Sequence, residues 1–155
     1  MWDPIQYLVR QRVKSKAIPL CMAEYDKTLY IGGPDGHMYF WNLYDVVERD
    51  DKTPHTFSRE KNPVHTASVS AILPIPSINT LATGDMSGKL VLWNIPGHTI
   101  KRKMFKLNKG IHSLDWNEEI GCLFSAGLDR AAYVWNPYVK KYICLLYTSP
   151  SPRDS

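Results

Sequence analysis

The chain has 155 residues, of which 44% are hydrophobic and 22% are charged, a balance typical of a globular protein with a core. Its formal net charge of +4 permits contact with acidic surfaces but does not demand a nucleic-acid partner. No stretch approaches the roughly 18 apolar residues that span a bilayer, and the start M-W-D-P lacks the pattern of a secretory signal. The cytoplasm is therefore the expected compartment, and no membrane partner is expected.

The reactive side chains show none of the spacings that catalytic or metal sites use. The cysteines form no C-x-x-C pair, and the histidines form no H-E-x-x-H or paired-ligand pattern. Ser125 and Asp129 lack the G-x-S-x-G element of a hydrolase, and the glycines near Gly32 lack the lysine and following helix of a phosphate loop. We therefore expect no catalytic residue, no metal, no cofactor and no small-molecule ligand. The histidines are His37, His55, His65, His98 and His112, and the cysteines are Cys21, Cys122 and Cys144.

Tryptophan recurs along the chain, and all five tryptophans precede an Asp or an Asn; four of them, leaving out Trp116, recur at similar intervals. The intervals between these four are 39, 52 and 42 residues, which indicates a repeated structural unit. Before each of the last three stand a leucine twelve residues earlier, a small residue nine earlier and an Asp or Ser six earlier. The four tryptophans are Trp2, Trp41, Trp93 and Trp135. The leucines are Leu29, Leu81 and Leu123, the small residues are Gly32, Gly84 and Ala126, and the Asp or Ser residues are Asp35, Ser87 and Asp129.

Each repeat predicts two strands joined by a tight turn. The leucines open short apolar runs of the kind that form buried strands, and Gly with Asp or Ser favours the turn. The runs that end at the tryptophans, M-Y-F-W, L-V-L-W and A-Y-V-W, are rich in aromatic and β-branched residues, which strands prefer. Helical periodicity is absent from all three runs.

These strings resemble the WD-repeat (WD40) family across nearly all of residues 2–143. The resemblance implies an all-β fold, a partial β-propeller of about three four-stranded antiparallel blades plus the end of a preceding one. The step Leu114-Asp115-Trp116 and the W-N-P-Y string at Trp135 are similar to repeats in the large WD-repeat proteins of cilia and flagella, some of which carry EF-hands. No EF-hand loop occurs here, so we expect no calcium site.

In chain order, the resemblance divides residues 1–143 into four segments. Residues 1–16 close a preceding blade, and residues 17–63 form a blade whose residues 45–63 are an inserted loop. Residues 64–107 form the next blade, and residues 108–143 form a truncated one. The loop is charged and contains prolines, which is typical of a surface excursion, and a partner-binding loop is the alternative.

Residues 144–155 are predicted not to be native. The string C-L-L-Y-T-S-P-S-P-R-D is similar to the in-frame translation of a transposase adapter used in sequencing libraries. A natural Ser/Pro-rich terminus is the alternative. We therefore leave this segment out of the fold assignment, and we expect the natural protein to be longer than this chain.

In the WD-repeat family, a hydrogen-bonded set of His, Ser or Thr, Asp and Trp locks the inner strands of each blade. The resemblance carries this set onto Asp35 and Trp41 in the first blade, His65, Thr83, Ser87 and Trp93 in the middle blade, and Ser125, Asp129 and Trp135 in the last. Ser87 stands where Asp is usual, Leu107 where His is usual, and Ile31 where Ser or Thr is usual. A buried Asp129 that accepts from Trp and Ser would cost about 1–3 kcal/mol to remove.

Two surfaces are candidates for contact with partners. Pro34, Met86 and Leu128 each precede the Asp or Ser of a turn, so we expect them on one face of the propeller. The basic run K-R-K-M-F-K from Lys101 should lie on the outer strand of the middle blade. Lysines on an edge strand discourage aggregation, and contact with an acidic partner or nucleic acid is the alternative.

The expected function is that of a non-enzymatic scaffold that binds other proteins, inside a larger assembly that the resemblance places in the cilium. Two alternatives stay open. The chain is the propeller portion of a multidomain enzyme, or it is a subunit of a nucleic-acid-associated complex. Fold alone does not decide among them.

Overall fold

The computed structural model describes residues 19–57, 64–95 and 97–147, and these form three four-stranded antiparallel sheets in chain order. The first sheet contains β1 (Cys21–Tyr25), β2 (Thr28–Gly32), β3 (Met38–Asn42) and β4 (His55–Thr56). The second contains β5 (Val69–Ile75), β6 (Thr80–Asp85), β7 (Leu90–Asn94) and β8 (Thr99–Lys103). The third contains β9 (Ile111–Asn117), β10 (Cys122–Gly127), β11 (Ala131–Trp135) and β12 (Tyr142–Tyr147).

The strand pairing has the same register in all three sheets. Leu29 lies opposite Trp41, Leu81 opposite Trp93, and Leu123 opposite Trp135, so each Leu–Trp pair joins the second strand of its sheet to the third. In an antiparallel pair, directly opposite side chains are in contact and stabilise the sheet. The twelve-residue spacing in the sequence is therefore the spacing of one hairpin. The prediction of four-stranded, all-β units is confirmed.

Successive sheets pack face to face through apolar clusters. Trp93 is 1% exposed and packs with Tyr30 of the first sheet, while Trp135 is fully buried and packs with Leu92 of the second. The first strands of the sheets lie side by side, β1 beside β5 and β5 beside β9. Each of these two tryptophans therefore faces the sheet that precedes its own. Large aromatic rings contribute much of the buried area in such contacts.

A short helix follows β3, where the sequence predicts a loop. This helix, α1, spans Leu43–Glu48 and begins at Asn42, whose side-chain oxygen accepts from the backbone N–H groups of Tyr44 and Asp45. An Asn at this position satisfies two N–H groups that the first turn leaves free, and an acidic residue in that turn complements the helix dipole. The interpretation of residues 45–63 as a plain surface loop is therefore wrong for residues 45–48, and also for His55–Thr56, which form β4.

Helix α1 also contributes to the core. Val46 is 4% exposed and lies in a cluster with Ile31, Tyr39 and Trp41 of the first sheet. The next residue, Val47, is 60% exposed. The inserted segment is thus attached to its sheet by one apolar side chain of the helix.

Replacing Val46 with alanine should lower the free energy of unfolding by about 1–2 kcal/mol, because two buried methyl groups are lost. The matched change Val47→Ala should alter it by less than about 0.5 kcal/mol, because that side chain is already in water. Urea unfolding of the two variants beside the wild type measures the difference. Equal losses in both variants would show that α1 does not pack on the sheet.

The ends of the predicted segments fall in different places. Residues 1–16 lie outside the described part of the chain. Strand β12 runs to Tyr147, so residues 144–147, predicted to be adapter sequence, form its last four residues and pair with β11. The third sheet therefore has four strands in this chain, and the adapter origin of residues 144–155 stays a prediction. Within the described ranges, no helix is long and apolar enough to cross a membrane.

Candidate functional site

A buried hydrogen-bond network joins three side chains of the second sheet to a histidine that precedes the first strand of that sheet. Trp93 donates its indole N–H to the Thr83 hydroxyl at 2.8 Å, and that hydroxyl lies 2.6 Å from Nε2 of His65. Nδ1 of His65 lies 2.7 Å from a carboxylate oxygen of Asp85. The assignment that satisfies every group has Thr83 donating to Nε2 and His65 donating from Nδ1. Buried polar groups that are all paired in this way hold one arrangement.

Asp85, which the sequence analysis did not select, accepts more hydrogen bonds than any other member of this network. Its second oxygen accepts from the Ser87 backbone N–H at 2.8 Å, the Ser87 hydroxyl at 2.6 Å and the Lys89 backbone N–H at 3.0 Å. Burial would raise the pKa of this carboxyl, but the hydrogen bonds from His65, Ser87 and Lys89 prevail and lower the pKa to about 2. Ser87 therefore does not take the place of the usual Asp. Instead, it holds Asp85 in position.

The pKa of Asp85 gives a testable pH dependence. Its folded-state value, about 2, lies below the 3.8 of a free Asp, so the charged carboxylate stabilises the fold above about pH 4. This stabilisation, about 2 kcal/mol, should be lost as the pH falls from about 4 towards 2. An NMR titration of the Asp85 carboxyl carbon should show a midpoint near 2. A midpoint at or above 3.8 would contradict the network.

The third sheet keeps one bond of the predicted lock. Trp135 donates its indole N–H to the Ser125 hydroxyl at 2.9 Å, and both residues are buried. Asp129 is exposed and accepts from the Arg130 backbone N–H and the Tyr133 hydroxyl. The prediction of a buried Asp129 that accepts from Trp and Ser is therefore wrong. With the apolar Leu107 in the histidine position, a buried carboxylate would have no histidine partner there.

In the first sheet, the structure does not bring Asp35 and Trp41 together. Ile31 has no hydroxyl, so the Trp41 indole N–H donates instead to the backbone carbonyl of Lys52 at 3.1 Å, beyond α1. Asp35 is exposed and lies 2.9 Å from Nδ1 of His37. Burial would raise the pKa of Asp35, but the hydrogen bonds and the charge of His37 lower it. The inserted segment thus supplies the hydrogen-bond acceptor for the Trp41 indole that β2 lacks.

The three residues predicted to share a face lie in equivalent turns, between the second and third strands of each sheet. Pro34 and Leu128 are exposed and Met86 is half-buried. The Ser68 hydroxyl donates to the Pro34 carbonyl at 3.2 Å, and the Met86 N–H donates to the Ser68 carbonyl at 3.0 Å. The Leu128 N–H donates to the Gly110 carbonyl at 3.0 Å. We call these three turns the turn face, and its role in binding stays a prediction.

The remaining histidines are held by neighbouring rings or lie in solvent. Phe40 stacks on His98 at 4.0 Å and on His55 at 5.2 Å, and Nε2 of His98 lies 3.3 Å from the Tyr30 hydroxyl. His112 is exposed. A cavity of about 200 Å³ beside His98 is lined by both the first and the second sheet. The part of the chain that the structure describes contains no group of three His, Cys, Asp or Glu side chains able to hold a metal.

Comparison with solved structures identifies the class of fold. The crystal structure of the RRP9 WD40 repeats matches with a TM-score of 0.74 and 19% identity, over 89% of this chain and 41% of that chain. A likeness at this identity shows the fold alone. The three sheets have the fold of blades of a WD40 β-propeller, the fold that the sequence resemblance implies. No protein-family model matches the chain.

Two curated proteins show which particular relatives the sequence resembles. Cilia- and flagella-associated protein 337 B of Tetrahymena thermophila is 29% identical over 150 residues, which cover 97% of this chain and 11% of that protein. The U3 small nucleolar RNA-associated protein 4 of Saccharomyces cerevisiae is 22% identical, over 83% of this chain and 17% of that protein. The chain therefore spans less than a fifth of the length of either relative.

Proposed function

We propose that this chain is part of a non-enzymatic scaffold that binds other proteins through its blades, and that it works in a cilium or flagellum. The observation that carries the proposal is the saturation of the buried His65–Asp85 pair. Every side-chain nitrogen and oxygen atom of His65, Asp85 and Thr83 takes part in a hydrogen bond within this network. The side chains that could otherwise act as acid or base therefore stabilise the fold. The name and the 29% identity of the ciliary relative support the compartment.

The turn face supports a role in binding. Its three turns lie at the same end of consecutive blades, and backbone hydrogen bonds hold the turns in place. Leu128 is 56% exposed there, so a large apolar side chain stands in water at a rigid position. Rigid apolar anchors of this kind carry much of the affinity of protein interfaces. We expect partner proteins to contact this face.

The chain offers a matched pair of substitutions to test this proposal. Leu128 and Ile120 are 56% and 61% exposed and lie in turns at opposite ends of the third sheet. In the full-length protein, tagged and purified from ciliated cells, Leu128→Asp should reduce recovery of co-purifying proteins at least fivefold. Ile120→Asp should leave recovery unchanged. Equal recovery from both variants, or purification of the wild type without stoichiometric partners, would contradict the proposed function.

A further inference from the structure

The outer edge shared by the second and third sheets carries a surface that the turn face does not include. Two segments form it, residues 103–106, which include the last residue of β8, and residues 138–141 before β12. They are joined directly, because the Phe105 backbone N–H donates to the Lys140 carbonyl at 2.6 Å, and the Arg102 guanidinium donates to the Pro137 carbonyl. We call this surface the lysine edge.

The structure separates the basic residues of this region into two groups. Lys101 has a structural role, since its ammonium donates to the Ile78 carbonyl at 3.0 Å and to the Thr80 hydroxyl at 2.9 Å. Arg102 is held by the Pro137 carbonyl. The other basic side chains are exposed, and within the described residues none of them forms an ion pair. On the lysine edge these are Lys103, Lys106, Lys140 and Lys141, whereas Lys109 lies beside Gly88 in a turn of the turn face.

No acidic residue occurs in the two segments or next to them in the chain. Residues 95–114 and 131–147 contain no Asp and no Glu. Four exposed ammonium groups therefore stand on two adjoining segments without an internal counter-charge. Like charges gathered in this way attract an anionic partner and repel a basic one.

Exposed aromatic side chains lie among the lysines. Phe105 is 51% exposed and Tyr138 is 63% exposed. The Phe105 ring is held edge-on to Tyr142, with 6.2 Å between ring centroids, and the Lys141 ammonium lies 5.7 Å from the Phe105 centroid. A half-exposed phenylalanine fixed by its neighbours offers an apolar anchor without a large loss of side-chain entropy on binding.

We propose that the lysine edge binds an acidic segment of a partner protein, with Asp or Glu carboxylates on the lysines and an apolar side chain against Phe105. This inference rests on the proposed scaffold function and names the chemistry of one partner. A peptide fits better than a nucleic acid for two reasons. The Lys141 ammonium lies over the Phe105 ring, which a stacking base would need free, and Arg102, the arginine next to the first segment, is bound to Pro137.

The test measures binding of the 155-residue chain to a fluorescein-labelled peptide of glutamates with one central leucine, by fluorescence anisotropy. Lys141→Glu should weaken binding about tenfold, and Phe105→Ser about fivefold. The control Lys27→Glu makes the same charge change on an exposed lysine in the first sheet, and it should alter the Kd by less than twofold. Replacing the peptide's leucine by serine should reproduce the loss seen in Phe105→Ser without altering the protein.

Three results would overturn the proposal. Equal weakening by Lys141→Glu and Lys27→Glu would mean attraction by net charge alone. Tighter binding of a single-stranded oligonucleotide of matched charge would assign the edge to nucleic acid. Unchanged affinity of the leucine-free peptide would remove the role of Phe105. None of these results bears on Leu128, so a failure here is distinguishable from a failure of the proposed function.

Discussion

Replacing Asp85 with alanine is expected to lower the free energy of unfolding by about 3–5 kcal/mol. The carboxylate lies within hydrogen-bond distance of His65 Nδ1 and accepts from the Ser87 hydroxyl and two backbone N–H groups, and it is fully buried. Alanine would leave these donors without a partner in a site that water does not reach. Urea unfolding of the 155-residue chain, followed by tryptophan fluorescence, measures the loss.

Asp129→Ala is the matched control for this substitution. Asp129 stands six residues before its tryptophan, the position where the family carries its Asp, but it is exposed and contacts neither Trp135 nor Ser125 in the structure. Its removal should cost less than about 1 kcal/mol. A larger loss for Asp129→Ala than for Asp85→Ala would mean that the network is centred on the wrong carboxylate.

Trp93→Ala should be destabilising by about 3–5 kcal/mol, because it leaves a large cavity between the first two sheets. The ring is 1% exposed and meets Phe57 edge-on, with 5.2 Å between centroids. Trp93→Phe retains most of the volume and loses the N–H bond to Thr83, so it should cost about 1–2 kcal/mol. Calorimetry or urea unfolding of the two variants separates the packing contribution from the hydrogen bond.

The control for the tryptophan is an aromatic residue outside the blade contacts. Tyr44, on α1, is 51% exposed, and Tyr44→Ala should change stability by less than about 1 kcal/mol. If Trp93→Phe proves as damaging as Trp93→Ala, ring volume is not what joins the two sheets. A result in which Tyr44→Ala matches Trp93→Ala would contradict face-to-face packing of the sheets.

The strand pairs could be predicted from the sequence because one hairpin has a fixed length. The twelve residues from each leucine to its tryptophan cover two short strands and a turn, and the structure pairs those two residues in every sheet. The lock bonds of Trp93 to Thr83 and Trp135 to Ser125 follow from the same register. Where residues repeat at equal spacing, geometry repeats with them.

Asp85 was missed because the register was applied too strictly. Six residues before Trp93, where the family register places the carboxylate, the chain has Ser87. The alternation of side chains along a strand offers a better signal, since Thr83 and Asp85 are two residues apart on β6 and therefore share a face. A carboxylate beside the hydroxyl on one face of a buried strand can reach the same histidine. Strand periodicity, added to the repeat, would have selected it.

Helix α1 and the lysine edge were not predicted from the sequence for a different reason. The N-cap Asn42 and the acidic Asp45 were signals for α1, but the charged residues that follow suggested a loop. Which lysines are free could not be read from the run K-R-K-M-F-K, because the bonds of Lys101 and Arg102 go to carbonyls distant in sequence. Contacts between separate segments depend on tertiary packing, and local composition carries no information about them.

Trp41, Trp93 and Trp135 occupy equivalent third-strand positions in consecutive blades. The most direct test is an experimental structure of the full-length protein, by crystallography or cryo-electron microscopy. We predict Leu29, Leu81 and Leu123 opposite Trp41, Trp93 and Trp135, with His65 bonded to both Asp85 and Thr83. Helices in place of these hairpins, or a tryptophan displaced to another strand of its sheet, would contradict the account.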